Sequence, residues 1–131
     1  MLLGRVMQAV GEGTRDIRIR VNDVDRDAPL GDDLTFSVAE LPTGDVTLEV
    51  GDRTFNLLHT PGHTPGQLAV YVPEDRVVFT GDTIFSECTT WLMTSNVEQW
   101  ITALDRIRAL DIEYLVPGHG PVQPKSYLAT Q

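Results

Sequence analysis

Cysteine is nearly absent from this sequence, and long hydrophobic runs are absent altogether. The chain has one cysteine, Cys88, in 131 residues, so no intrachain disulfide can form and a reducing compartment is expected. No apolar run approaches the roughly 18 residues that a membrane span needs. Residues 1–10 are too short and too weakly apolar for a secretory signal. These absences predict a cytoplasmic protein that does not enter a membrane.

Basic residues are also scarce. The 10 lysines and arginines stand against 19 carboxylates, which gives a formal net charge of −9. Such a charge argues against nucleic acid or an anionic membrane as a partner. With 41% hydrophobic residues, the chain has the length and composition of one soluble globular domain with a moderate core.

Most of the carboxylates lie in the first part of the chain, and the spacing of three of them matches part of a calcium-binding loop. Asp23, Asp25 and Asp27 match the first three ligand positions of that loop. Its sixth and twelfth positions require Gly and Glu, but the sequence has Ala28 and Leu34 there. The pattern therefore favours a solvated acidic loop over a calcium site.

Signals of regular structure are weak in residues 1–44. Residues 2–10 suit a short helix that the following Gly-Glu-Gly would end. Apolar and polar residues then alternate over residues 17–21, which indicates a strand.

Stronger signals follow and predict two β-hairpins. Residues 46–50 and 54–58 alternate on either side of a Gly-Asp turn. Residues 67–72 and 77–80 flank a four-residue turn. They are almost continuously apolar, which is typical of central strands covered on two faces.

A helix and a final strand follow the hairpins. Ser95 and Glu98 form a capping box, which predicts that a helix begins with this serine as its cap. Its apolar stripe comprises Val97, Trp100, Ile101, Leu104 and Ile107. Residues 113–121 are typical of a short buried strand that runs into a Pro-Gly loop.

All three histidines of the chain lie in short glycine-containing motifs at or just beyond the ends of predicted strands. His59 and His63 lie in HTPGHT, Asp82 lies in TGDT, and His119 lies in PGHG. Glycine allows a sharp turn, so each side chain can project from a strand end into one shared cleft. Two imidazoles and a carboxylate form a ligand set that zinc accepts and that also suits iron or manganese.

The two neighbouring histidines are not equivalent. Pro61 and Gly62 disfavour a helix and force a bend, so the two rings are expected to point in different directions. His63, at the turn, is the predicted metal ligand. His59 ends the strand, where it is a hydrogen-bonding residue behind the ligands, a buried histidine or an alternative ligand.

Together, these motifs resemble the C-terminal half of the metallo-β-lactamase superfamily. HTPGHTPGQ is similar to its third metal motif, FTGDTIF to its fourth and LVPGHGPV to its fifth, and the match covers residues 45–122. The resemblance implies an α+β fold, part of an αβ/βα sandwich made of β-hairpins, one capped helix and a short strand. It also implies one partial domain over residues 1–131, in which residues 1–44 are an intervening acidic segment and residues 123–131 begin a C-terminal helix.

The same resemblance implies a metal-dependent hydrolase with two ions. His63 would bind the first ion, Asp82 would bridge both, and His119 would bind the second. In such enzymes a metal-bridging hydroxide attacks an ester, thioester, lactone or lactam, so the expected substrate is a small molecule of one of these classes. Zinc is the expected metal, with one or two ions in the complete domain.

One signature of the superfamily is missing. The pattern His-x-His-x-Asp-His supplies two ligands to each metal, and no histidine precedes His59 here. Each ion would keep one histidine and a share of Asp82, whereas catalytic zinc usually has three protein ligands. The sequence therefore predicts a truncated hydrolase that is active in its complete form, or else a non-catalytic remnant or interaction module that binds one metal weakly. A missing sheet would also expose an apolar face and favour self-association.

Three further residues are candidates for a substrate pocket. Glu87 and Trp91 lie between the bridging acid and the helix, and Lys125 follows the last metal motif, where it would meet a substrate carboxylate. Core packing of Trp91 and a plain surface position for Lys125 are the alternatives. Cys88 is expected to be a small packed thiol rather than a ligand.

Overall fold

β-Strands form most of the regular structure in the computed structural model of this chain. The structure describes residues 2–5, 17–21, 24–26, 35–38, 44–50 and 53–131. The chain divides into two compact units, Met1–Asn56 and Leu57–Gln131. The three candidate metal ligands all lie in the second unit.

Antiparallel strand pairs build the first unit. β1 (Leu2–Arg5) pairs with β4 (Thr35–Val38), and β2 (Ile17–Val21) pairs with both β3 (Val24–Arg26) and β5 (Val46–Val50). The strand predicted over residues 17–21 is therefore confirmed.

The helix predicted over residues 2–10 is wrong at its start. The backbone of β1 pairs residue for residue with β4, and the rest of the predicted helix lies outside the described residues. A short helix is marginal by itself, whereas strand pairing gives its backbone groups partners. In the acidic segment, Asp25 lies in β3 opposite Arg20, and Asp23 and Asp27 lie outside the described residues.

Both predicted hairpins are confirmed. β5 lies beside β6 (Arg53–His59), and β7 (Leu68–Val72) is antiparallel to β8 (Val77–Phe85). A 3-10 turn joins β7 to β8, and it is closed by the Arg76 N–H, which donates to the Pro73 carbonyl at 3.1 Å.

In the second unit, β8 lies inside a mixed sheet. β9 (Tyr114–His119) runs parallel to β8, and β10 (Gln123–Pro124) is antiparallel to β9, which gives the strand order β10-β9-β8-β7-β6. Parallel neighbours need a crossover connection, and the helix α1 (Val97–Arg108) lies in the one that links β8 to β9. β8 is longer than predicted, so Asp82 lies within the strand.

The cap of α1 lies one residue later than predicted. Asn96 is the N-cap, and its side-chain oxygen accepts a hydrogen bond from the Gln99 N–H at 3.0 Å. The Ser95 hydroxyl instead donates to the Leu92 carbonyl at 2.7 Å. Asparagine caps a helix as well as serine does, so the adjacent residue takes the role.

α1 buries a narrower stripe than its apolar pattern predicts. Trp100, Ala103 and Ile107 are buried, but Val97 and Ile101 are 60% and 54% exposed. The buried residues recur at spacings of three and four, so they share one face of the helix and Ile101 lies outside it. The core of this unit comprises Ala69, Val78, Ile84, Ile107, Ile112, Leu115 and Leu128.

The strands of the second hairpin are also partly open to solvent. Leu68 and Phe79 are 42% and 45% exposed. The expectation that both faces of these strands are covered is therefore wrong at these two positions.

The last nine residues, expected to begin a helix, form two short elements. β10 is followed by a 3-10 helix over Lys125–Thr130, whose Leu128 is buried in the core. Across the described residues, no helix has the length and apolar character required to span a membrane.

Candidate metal centre

His63 lies in the loop that joins β6 to β7. The preceding residue, Gly62, packs directly on α1, and a Cβ at this glycine would lie 2.5 Å from the Cα of Trp100. The Asn96 N–H also donates to the Gly62 carbonyl at 2.8 Å. Only glycine allows this close approach, which fixes His63 beside the start of the helix.

Asp82 lies in the part of β8 where pairing with β9 is interrupted. The ladder between the two strands is irregular from Gly81 to Phe85. Gly118 of β9 leaves the space that the carboxylate occupies, because a Cβ on this glycine would lie 2.1 Å from Asp82 Oδ1. The carboxylate therefore lies against the end of β9.

His119 is the last residue of β9. Its carbonyl accepts a hydrogen bond from the Ser86 N–H at 2.9 Å, which ties the end of β9 to the end of β8. Gly120 permits this contact, since its φ is +91° and a Cβ there would lie 1.8 Å from the Ser86 carbonyl oxygen. The backbone thus holds His119 beside Asp82.

The three side chains meet at the Asp82 carboxylate. Oδ2 lies 3.5 Å from His63 Nε2, and Oδ1 lies 3.3 Å from His119 Nε2. The side chains of His63, Asp82 and His119 are 13%, 36% and 58% exposed, so the group runs from the interior to the surface. In the part of the chain that the structure describes, no three His, Cys, Asp or Glu side chains are grouped to hold one ion. The arrangement is therefore two His–Asp pairs that share one carboxylate.

Two buried aromatic residues contact these imidazoles. The Trp100 and His63 rings meet edge to face at a centroid distance of 5.4 Å, and the indole N–H donates to the Thr83 carbonyl at 2.7 Å. Phe85 lies 5.7 Å from the His63 ring and stacks on His119 at 5.1 Å, with an interplanar angle of 11°. His63 Nδ1 is buried and has no hydrogen-bond partner among the described residues. Both aromatic rings therefore pack against His63, whose side chain is 13% exposed.

His59 bonds within the loop that carries His63. Its Nε2 lies 2.9 Å from the Pro65 carbonyl oxygen, and because a carbonyl only accepts, Nε2 carries the proton. The Thr60 N–H donates to the Gln67 carbonyl at 2.9 Å and closes the same loop. The structure thus places His59 at the base of this loop.

Glu87 and Trp91 lie in the loop between β8 and α1. Glu87 is exposed with φ of 56°, and its carboxylate accepts a hydrogen bond from the Gln123 side-chain amide at 3.2 Å. Trp91 is 65% exposed, so it is not part of the core. Cys88 is exposed rather than packed, as this connecting loop runs over the surface.

Lys125 is held at the far end of α1. Its ammonium group donates to the Leu110 carbonyl at 2.6 Å, just beyond the C-terminal end of the helix. His63 packs near the start of the helix, beside Trp100. The structure therefore does not bring Lys125 together with His63.

Phe85 and Trp100 belong to the site but are not identified by the sequence reasoning. Phe85 lies in FTGDTIF, three residues after Asp82, but it carries no ligand atom. Trp100 has the helical spacing of a core residue. Their contacts with the histidines depend on how α1 packs and on the irregular ladder in β8, which no spacing rule provides.

Known proteins share this sequence pattern. The sequence model of the metallo-beta-lactamase superfamily matches residues 9–119. Acyl-coenzyme A thioesterase MBLAC2 of Gallus gallus is 32% identical over 84 residues, covering 60% of this chain and 30% of that protein. Hydroxyacylglutathione hydrolase of Bartonella quintana is 36% identical over 72 residues, covering 55% of this chain and 28% of that protein. The solved structure of TTHA1623 in a di-iron-bound form has a TM-score of 0.51 at 36% identity, covering 57% of this chain and 39% of that chain. This chain thus spans less than a third of the length of these two curated relatives.

Proposed function

Because this chain belongs to the metallo-β-lactamase superfamily, we propose that it supplies part of the metal centre of a hydrolase. The observation that carries the proposal is the Asp82 carboxylate, which has a histidine nitrogen close to each of its oxygens. His63 and Asp82 would hold one ion, and Asp82 and His119 would hold a second. The chain spans less than a third of its relatives' length, so the activity of the whole protein is part of this proposal.

The distances between these atoms suit ligands that share an ion. Two ligand atoms that each lie about 2.0–2.2 Å from one ion, at angles of about 95–110°, are about 3.0–3.6 Å apart. The separations of 3.5 Å at His63 and 3.3 Å at His119 fall within this range. Gly118, which has no side chain, leaves room beside Asp82 Oδ1. These separations support the proposal that the Asp82 carboxylate would be shared by two ions.

Zinc is the metal that we propose, with iron or manganese as alternatives. Imidazole and carboxylate donors accept all three ions, so the ligand set does not select among them. The similarity to TTHA1623, whose structure is in a di-iron-bound form, supports iron as much as zinc. Loading the protein with each ion separately would identify the one that it prefers.

A small acyl thioester is the proposed substrate class, within a wider set of esters, lactones and lactams. The relatives include an acyl-coenzyme A thioesterase and a hydroxyacylglutathione hydrolase. When bound, the ions would lower the pKa of a water molecule and polarise the thioester carbonyl. His119, the more exposed imidazole, would be the one nearer to a substrate arriving from solvent, whereas packing would hold the more buried His63.

The cytoplasm is the proposed location, with a small molecule as the partner rather than nucleic acid or a membrane. The exposed Cys88 thiol suits a reducing compartment. The net charge of −9 disfavours polyanionic partners.

A remnant that binds one metal weakly is the second candidate. Among the described residues each ion would have two ligands, whereas catalytic zinc usually has three. The His63–Asp82 pair would then hold the single ion, because it is the more buried of the two pairs and charge interactions are stronger away from water.

Metal content and thioesterase activity together separate the two candidates. A hydrolase is expected to retain about two zinc ions per chain after gel filtration, and its complete form is expected to release thiol from acetyl-coenzyme A. A remnant is expected to retain about one ion and to release no thiol. The exposed Cys88 would react with a thiol reagent, so Cys88→Ser is the background for the assay. Protein that retains no metal would contradict both candidates.

A further inference from the structure

Phe85 contacts both of the histidine rings that flank Asp82. Its ring lies 5.7 Å from the His63 ring at an angle of 60°, and 5.1 Å from the His119 ring at 11°. The side chain is 7% exposed, although it lies only three residues after Asp82 on β8. A buried, flat side chain thus lies against both imidazoles.

The backbone of Phe85 is held in place from two sides. Its carbonyl accepts a hydrogen bond from the Tyr127 hydroxyl at 3.3 Å. In the parallel ladder of β8 and β9, Phe85 is paired with His119, and the next residue, Ser86, donates its N–H to the His119 carbonyl. The Phe85 backbone, from which the phenyl ring projects, is therefore held beside the His119 backbone.

The two imidazoles depend on Phe85 to different degrees. The His63 side chain is 13% exposed and also meets the edge of Trp100. The His119 side chain is 58% exposed, and its nearly parallel stack on Phe85 covers one face of the ring. Loss of the phenyl ring would therefore free His119 more than His63.

We propose that Phe85 is a positioning residue that sets the ring plane of His119 and directs its Nε2 towards Asp82 Oδ1. The benefit to metal binding rests on the proposed function, whereas the stacking itself is independent of metal. Aromatic stacking of this kind contributes an amount equivalent to about a fivefold change in affinity. A non-aromatic side chain at this position is thus expected to lower the affinity for the ion shared by Asp82 and His119 by about fivefold. The affinity for the ion shared by His63 and Asp82 is expected to fall by less.

NMR of the metal-free protein tests the stacking. Phe85→Leu removes the ring but keeps an apolar side chain, and Phe79→Leu is the matched control, since Phe79 lies on the same strand and is 45% exposed. A stacked phenyl ring shifts the ring protons of His119 upfield, and with three histidines in the chain the signals are readily assigned. We expect Phe85→Leu to move these protons downfield and Phe79→Leu to leave them in place. Unchanged His119 signals in Phe85→Leu would overturn the proposal.

Cobalt(II) titration followed by visible absorption tests the positioning role. The second equivalent of cobalt is expected to bind to Phe85→Leu about fivefold more weakly than to the wild type, with altered absorption bands. Phe79→Leu is expected to show the cobalt affinity and the spectrum of the wild type. Phe85→Tyr, which keeps the aromatic ring, is expected to bind the second cobalt ion as the wild type does. If Phe85→Leu fails to fold, Phe85→Met provides the same comparison.

Equal cobalt affinity and equal spectra in Phe85→Leu and wild type would overturn the positioning role even if the NMR signals move. Wild-type protein that binds no cobalt would contradict the proposed metal centre but not the positioning of the His119 ring by Phe85, which concerns the metal-free protein. In that case the NMR shift alone would show whether the rings stack, so the two failures are distinguishable.

Discussion

Glycines beside the candidate ligands make room for groups that larger residues would displace. Gly62 allows α1 to approach the loop of His63, and Gly118 leaves space for the Asp82 carboxylate. Gly120 has φ of +91° next to the Ser86 carbonyl. The geometry of the ligands therefore depends on positions that contribute no donor atom.

Gly118→Ala is expected to push the Asp82 carboxylate out of place. The added Cβ would lie 2.1 Å from Asp82 Oδ1 and 2.6 Å from the Gly81 carbonyl carbon, so the site must shift. Overpacking of this kind lowers the free energy of unfolding by about 1–3 kcal/mol, and we expect weaker zinc binding as well. Urea unfolding and a zinc titration measure the two effects.

Gly66→Ala is the matched control for this variant. A Cβ at Gly66 meets no heavy atom within 4 Å, so stability and zinc affinity are expected to stay close to wild type. If the two alanine variants behaved alike in both measurements, the account of Gly118 would be wrong.

At the residue scale, the sequence predicts which groups gather but not how they are oriented. His63 lies in a loop, Asp82 within β8 and His119 at the end of β9, and each directly follows a glycine, a signal that is local in sequence. Their role as metal ligands remains a prediction. The contacts of Phe85 depend on an irregular ladder between β8 and β9, which is a long-range feature that no local pattern encodes.

Among the elements, α1 links the stability of the fold to the site. Its first residues hold the Gly62 carbonyl through the Asn96 N–H and contact His63 through Trp100. Sequence patterns predict this helix well, because its apolar periodicity is strong. They misplace the cap by one residue, since Ser95 and Asn96 are both good capping residues and their types alone do not distinguish them.

Asn96→Ala is expected to lower the free energy of unfolding by about 1 kcal/mol, because the Gln99 N–H loses its acceptor. Ser95→Ala is the control, since the Ser95 hydroxyl bonds to the Leu92 carbonyl outside the helix and its loss should have a smaller effect. Urea denaturation of both variants compares them. If Ser95→Ala lost more free energy of unfolding than Asn96→Ala, Ser95 rather than Asn96 would be the cap.

For the molecule as a whole, membership of the superfamily and the α+β fold class are confirmed. The family match over residues 9–119 extends further towards the N-terminus than the resemblance seen in residues 45–122. The three histidine- and aspartate-bearing motifs, the second predicted hairpin and the predicted helix all lie in the second unit. This unit is therefore the part that the sequence predicts best. Periodicity is weak in the first unit, and the sequence predicts a helix at β1 because strand pairing with distant residues is not visible in a local pattern.

Self-association, which the sequence predicts through an exposed sheet face, remains a prediction for the whole molecule, and the structure also exposes apolar side chains elsewhere. The loop before α1 and the outer side of the helix expose large apolar side chains, namely Trp91, Leu92, Met93, Val97 and Ile101. Exposed apolar patches favour association, so the mass measured by light scattering is expected to rise with protein concentration.

Ile101→Glu is expected to reduce this association, because it places a charge on the apolar surface. Gln99→Glu is the matched control, since it adds the same charge at an exposed polar position of α1. A monomer whose mass is independent of concentration in the wild type would contradict the prediction.

The central claim is that one carboxylate, Asp82, serves two histidines and through them two ions. Metal content per chain, measured for wild type and for His63→Ala, Asp82→Ala and His119→Ala after loading with zinc, tests this claim most directly. The shared carboxylate predicts that each histidine variant loses about one of two ions and that Asp82→Ala loses both. An Asp82→Ala variant that retains as much zinc as the wild type would contradict it.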